Sequence, residues 1–163
     1  MKKFSLLLLV FLICLGLSYS IPAASQTLPA FKMKLTNGEI FTTSDVSTTK
    51  PLVLIYFAPD CEHCQVLIKQ LLNKISVFKH AQILMVTFES LEAVTAFKKD
   101  YQLDKYPNII VGMELPVFFF RTYYNLQHTP FTALFNKNKK LIASYKDFTP
   151  LDDLIKKLKS LEK

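Results

Sequence analysis

Two cysteines spaced by two residues, Cys61-Glu62-His63-Cys64, stand directly after the apolar run Leu52-Val-Leu-Ile-Tyr-Phe-Ala58. That spacing brings two sulfurs within bridging reach when the residues lie on one helical turn. A thiolate rather than a thiol attacks a disulfide, and the first turn of a helix supplies unpaired N–H groups and a positive dipole end that favour it. Pro59 and Asp60 break the apolar run, and Asp60 is positioned as an N-cap, so the pattern predicts Cys61 to Cys64 as the first turn. Cys61 is then the exposed nucleophile. Cys64, with apolar neighbours pointing inward, is the partner that resolves a mixed disulfide. Protonated His63 adds positive charge beside the pair and favours the reduced form; Glu62 acts in the opposite sense.

Other uses of a Cys-x-x-Cys pair need more than this chain offers. Zinc requires further ligands, and downstream of the N-terminal segment the sequence has no third cysteine and only His63, His80 and His128. A purely structural disulfide over so small a loop adds little stability. A soft metal such as copper, held by Cys61, Cys64 and a histidine, is an alternative that metal analysis separates from redox chemistry.

The chain of 163 residues is long enough for one domain. Residues 1–25 carry Lys2 and Lys3, an unbroken apolar run from Leu6 to Leu17, then small residues at Ser18, Ser20, Ala23, Ala24 and Ser25. This is the three-part pattern of a secretory signal peptide. The run is shorter than the roughly 20 residues of a spanning helix, so a membrane tether is expected only if the segment stays uncleaved. Cys14 lies inside it and is read as a bystander. The domain proper is 26–163, an exported and most simply periplasmic protein retaining Cys61 and Cys64, in a compartment that tolerates disulfides. The net charge of +7 is carried by scattered lysines, with Arg121 as the one arginine. Without an arginine-rich cluster interleaved with aromatics, nucleic-acid binding is not expected.

The remaining elements must position the pair. Phe31, Met33 and Leu35 alternate, Asn37-Gly38 turns, and Ile40-Phe41 resumes, predicting an opening hairpin. Leu67, Ile68, Leu71, Leu72 and Ile75 continue the cysteine helix along one face. Gln82 to Phe88 predicts a second buried strand, Ser90 caps a second helix, and Asn108 to Val111 predicts a short strand closed by Gly112. Leu115 to Gln127 is strongly aromatic and predicts a short helix, its rings expected in the core. Phe131 to Phe135 and Leu141 to Tyr145 form a hairpin. Thr149-Pro150 opens the last helix as a Thr cap with Pro at the first position. Strand, helix, strand, helix, hairpin, helix predicts an α/β fold: a mixed sheet with helices on both faces.

Phe57-Ala-Pro-Asp-Cys-Glu-His-Cys64, followed well downstream by Thr129-Pro130 ahead of a strand, resembles the thioredoxin superfamily. The opening hairpin and the extra segment before Thr129-Pro130 are similar to the exported TlpA/ResA-like redoxin branch. The resemblance implies a thioredoxin fold, with Cys61 as attacking and Cys64 as resolving cysteine. It also implies a cis-proline at Pro130 whose loop binds the partner's backbone, with Thr129 before it tuning potential and partner choice. The chain departs from the pattern in three places. Ile55 stands where thioredoxins often bury an acid, six residues before Cys61, and Glu89 is a conceivable substitute. There is no tryptophan. Glu-His replaces Gly-Pro between the cysteines.

The expected function is therefore an exported thiol-disulfide oxidoreductase exchanging disulfides with protein thiols. It would need an upstream redox partner but no organic cofactor or metal, and would act as a monomer. A peroxide-reducing redoxin is a rival, but the Pro-x-x-x-Thr-x-x-Cys setting of a peroxidatic cysteine is absent before Cys61. A binding domain with vestigial cysteines is another, and an insulin-reduction assay distinguishes it.

Overall fold

The apolar run before the cysteines forms the middle of a seven-stranded sheet. The structure, a computed structural model, describes residues 26–161, so the expected leader at 1–25 lies outside the described residues. The strands are β1 (Lys32–Leu35), β2 (Ile40–Thr42), β3 (Leu52–Tyr56), β4 (Gln82–Thr87), β5 (Ile109–Leu115), β6 (Phe131–Phe135) and β7 (Leu141–Lys146). Their order across the sheet is β2-β1-β5-β4-β3-β6-β7. β3, β4 and β5 are parallel, with Leu54 opposite Leu84 and Leu84 opposite Ile110. β6 and β7 add on antiparallel at one side, and β1 and β2 at the other.

Among the described residues, four α-helices cover this sheet unequally: α1 (Glu62–Asn73), α2 (Leu91–Asp100), α3 (Phe119–Tyr124) and α4 (Leu151–Ser160). Every residue of β3 is buried, because the strand is packed on both faces. One face carries Val53, Ile55 and Phe57 against Leu67 and Ile68 of α1, Val94 and Phe97 of α2, and Leu154 and Leu158 of α4. The other carries Leu52, Leu54 and Tyr56 against Phe120 and Tyr124 of α3, with Leu28 and Phe31 of the incoming segment. The mixed sheet, its helices on both faces and the opening hairpin all form.

Several boundaries differ from expectation. The third parallel strand does not stop at Gly112 but runs seven residues to Leu115. Gly112 lies within it because a Cβ there would come within 2.6 Å of the Lys34 carbonyl and the Met33 side chain on β1. Helix α1 ends at Asn73, and Ile75 belongs to a following 3-10 turn. The aromatic segment divides: Phe120 and Tyr124 are buried, whereas Val117, Phe118 and Tyr123 are exposed. Thr149 does not cap α4; Pro150 holds that position without a side-chain bond, and the Thr149 hydroxyl instead meets Thr132 at 2.7 Å.

Candidate active site

β3 ends at Tyr56, and Phe57 to Asp60 carry the chain over the sheet edge into α1. Asp60 does not cap that helix. Cys61 does so itself, in extended conformation (φ −76°, ψ 114°), with its sulfur accepting the Cys64 backbone N–H at 3.3 Å. The sulfur thus takes the place of a capping oxygen and satisfies one of the helix's unpaired donors. Glu62 is the first helical residue, and Cys64 lies in the first turn.

Both cysteines are free thiols; Cys64 is buried and Cys61 partly exposed. Their sulfurs are 2.6 Å apart, and Cys61 Sγ lies 3.4 Å from the Thr129 carbonyl oxygen. The hydrogen bonds form a chain: Cys64 thiol to Cys61 sulfur, Cys61 thiol to Thr129 carbonyl. Burial, reinforced by the bond to Cys61, pushes the Cys64 thiol up to about 12. The two sulfurs therefore have different environments. One is partly exposed at a helix tip; the other is buried, where the interior favours its thiol form.

The Thr129–Pro130 peptide is cis, and it sits across from the pair. Glu62 and His63 are exposed on the first turn of α1. His63, Val66, Pro130, Asp147, Phe148 and Thr149 line a cavity of about 80 Å³ beside the pair. Val66 is 47% and Phe148 73% exposed, which is unusual for large apolar side chains next to one another. Asp147 reaches back to this edge, its N–H bonding the Pro130 carbonyl at 3.0 Å. Thr132 and Thr149, bonded beneath, fasten the same loop to β6. The structure thus brings together Cys61, Cys64, His63, Thr129 and Pro130.

Sequence reasoning missed three features. Phe148 had no periodic pattern to mark it, and Thr132 lay inside an apolar strand. The third is Glu114, wholly buried in β5. Its Oε1 accepts the Tyr56 hydroxyl and the Phe118 N–H, and its Oε2 the Phe120 N–H, each at 2.8 Å. Burial raises its carboxyl above the ordinary value even though three donors oppose the shift. A single charged residue in the run Ile109 to Leu115 was the available signal. Glu89 is not the buried acid considered as a substitute: it is only partly buried, at the start of the loop after β4. Glu114 is no such substitute either, since its carboxylate bonds on the α3 side of the sheet while Cys64 packs on the other. No third His, Cys, Asp or Glu joins the cysteines among the described residues to complete a metal-binding group.

Comparison with known proteins agrees with this architecture. The solved structures similar to this chain include a secreted Mycobacterium tuberculosis disulfide oxidoreductase homologous to E. coli DsbE. It is 16% identical, covers 80% of this chain and 96% of its own, and has a TM-score of 0.65. The pneumococcal exposed lipoprotein thioredoxin Etrx1 from Streptococcus pneumoniae is 21% identical, covers 82% of this chain and all of its own, at a TM-score of 0.61. A thioredoxin-like protein from Porphyromonas gingivalis is 19% identical over 82% of this chain and 90% of its own, at 0.66. At these identities the likeness establishes the fold, which is that of thioredoxin. No curated protein matches the sequence. The family model described as AhpC/TSA matches residues 24–157, nearly the whole described chain, so the protein belongs to the AhpC/TSA family, within the thioredoxin superfamily.

Proposed function

We propose that the protein is an exported thiol-disulfide oxidoreductase that exchanges disulfides with protein partners through Cys61 and Cys64. The observation that carries this reading is the asymmetric pair: a part-exposed helix-capping sulfur 2.6 Å from a buried one and 3.4 Å from the Thr129 carbonyl. In the reducing direction the Cys61 thiolate attacks a partner disulfide and one partner sulfur leaves. The Cys64 sulfur then attacks Cys61, its proton passing to the second departing sulfur. The products are a Cys61–Cys64 disulfide and a partner dithiol, two electrons having moved to the partner. The reverse sequence oxidises a dithiol.

Glu62 and His63 tune the poise in this reading. The partner's chain lies along Thr129 and Pro130, with Phe148 and Val66 as its apolar margin. Residues 1–25 act as the export signal and 26–163 as the working domain, placing the protein in the periplasm or on the membrane face. No helix among the described residues is long and apolar enough to cross a membrane. Secreted and surface-exposed relatives of the same fold support export.

The test is a Cys64→Ser variant exposed to extracts of the exported fraction. Mixed disulfides through Cys61 are expected on non-reducing gels and should vanish with Cys61→Ser. Their absence, together with no insulin reduction by the wild type, would overturn the proposal, and rapid turnover of peroxide would favour a peroxidase instead. The reduction potential sets direction: near −270 mV, about that of thioredoxin, indicates a reductase, and near −120 mV an oxidant.

A further inference from the structure

We infer that Glu114 is a positioning residue for the cysteine pair: through α3 and Arg121 it sets where the Thr129 carbonyl meets the Cys61 thiol. The inference rests on the redox reading above and adds a residue to it.

Glu114 is wholly buried, where the apolar interior disfavours its charged form, yet both its oxygens accept hydrogen bonds. Its three hydrogen bonds are all directed at two elements. One is β3, through the Tyr56 hydroxyl, five residues before Cys61. The other is the start of α3, through the N–H groups of Phe118 and Phe120. Phe118 has a left-handed backbone, φ 66°, which a bulky residue holds only where its surroundings impose it. The carboxylate receiving its N–H is the local constraint.

From there the connection continues without a gap. α3 has only six residues, about 9 Å, so fixing its start fixes its end. Arg121 on α3 engages the next segment twice: its carbonyl accepts the Leu126 N–H at 2.9 Å, and its guanidinium donates to the Gln127 carbonyl at 3.1 Å. The guanidinium is itself held over the Phe88 and Phe118 rings, at 5.4 and 5.5 Å. Two residues after Gln127 comes Thr129, whose carbonyl accepts the Cys61 thiol. The same carboxylate therefore holds both sides of that contact, β3 leading to Cys61 and α3 leading to Thr129.

The contact has a redox consequence. Cys61 donates to Thr129 only as a thiol; a disulfide has no proton to give. Correct placement of the carbonyl thus stabilises the dithiol, and misplacement favours the disulfide. One hydrogen bond of ordinary net worth corresponds to about a fivefold change in the equilibrium.

The experiment measures the equilibrium of the full chain with glutathione, alongside thermal unfolding, for Glu114→Gln, Arg121→Met and Tyr56→Phe. Glu114→Gln leaves one backbone N–H of α3 without an acceptor. Arg121→Met removes the guanidinium's bond to Gln127 and its contacts over the Phe88 and Phe118 rings, leaves the three donors to Glu114 in place, and carries the test should Glu114→Gln fail to fold. Both are expected to shift the pair about fivefold toward the disulfide, with Tyr56→Phe shifting it less. Variants that melt earlier but keep the wild-type equilibrium would overturn the inference and leave Glu114 a helix cap alone. So would a shift in Glu114→Gln with none in Arg121→Met. A wild-type pair that does not exchange with glutathione would defeat the redox reading, and this inference with it.

Discussion

Cys64 and Glu114 are both buried groups whose charged form the interior disfavours, and each predicts a measurement. With its thiol pushed up to about 12, Cys64 is ionised to only about one part in 10⁵ at pH 7. Iodoacetamide applied to the reduced native protein at pH 7 is expected to label Cys61 alone, with Cys64 labelled only after unfolding; mass spectrometry of the two peptides checks this. Glu114 titrates above its unfolded value, about 4.3. Its folded form binds the proton more tightly, so its contribution is fully present below pH 4.3 and is lost as pH rises through the raised value. The stability margin of wild type over Glu114→Gln should therefore shrink from pH 4 to pH 8 in urea titrations. A margin that grew with pH would mean the three donors outweigh burial. At this scale the sequence was legible where chemistry announces itself by spacing, as at Cys61 and Cys64. Glu114 was not legible because its meaning depends on Tyr56 and Phe118, which only the fold brings to it.

Elements were legible where periodicity was strong, and their ends were not. The alternation of Phe31, Met33 and Leu35 and the inward spacing of Leu151, Leu154, Ile155, Leu158 and Leu161 are visible in the chain; in the structure all are buried except Leu35 and Leu161, which are partly so. The extent of β5 escaped because Gly112 reads locally as a stop. It is there for the close passage of β1, a fact of sheet order rather than of local preference. Gly112→Ala should accordingly destabilise by about 1–3 kcal/mol or more, since a Cβ would press on the Lys34 backbone; chemical denaturation measures it. Capping residues misled in a similar way. Asp60 and Thr149 have the right types, but Cys61 supplies its own cap and Thr149 is drawn inward to Thr132. Thr132→Val should cost about 1–3 kcal/mol by stranding the Thr149 hydroxyl. The double change to valine is expected to recover part of that loss, because neither partner is then left unpaired.

For the whole molecule, the sequence order of strands and helices implied the mixed sheet correctly. It could not show that three helices share one face while α3 and the incoming segment cover the other. Nor could it show that the β7–α4 loop folds back to the cis-proline edge. That loop carries Phe148, 73% exposed, beside Pro130. Phe148→Ser is predicted to raise KM for insulin several-fold while leaving the melting temperature unchanged, because the ring contributes contact with a partner and little to the core. Unchanged KM would remove this loop from the docking edge.

The attachment of the first described residues has a consequence for reach. Gln26 accepts the Leu141 N–H at 2.8 Å, Leu28 donates to the Lys139 carbonyl at 2.9 Å, and Thr27 bridges to Lys140. This seam lies by the β6–β7 turn, beyond the end of β3 where Leu52 faces Phe135; the cysteines follow the other end, where Tyr56 faces Phe131. Gln26, the first described residue, therefore lies at the rear of the molecule. A stalk or anchor upstream would leave the two thiols on the forward side, free to meet large clients without the mooring in the way.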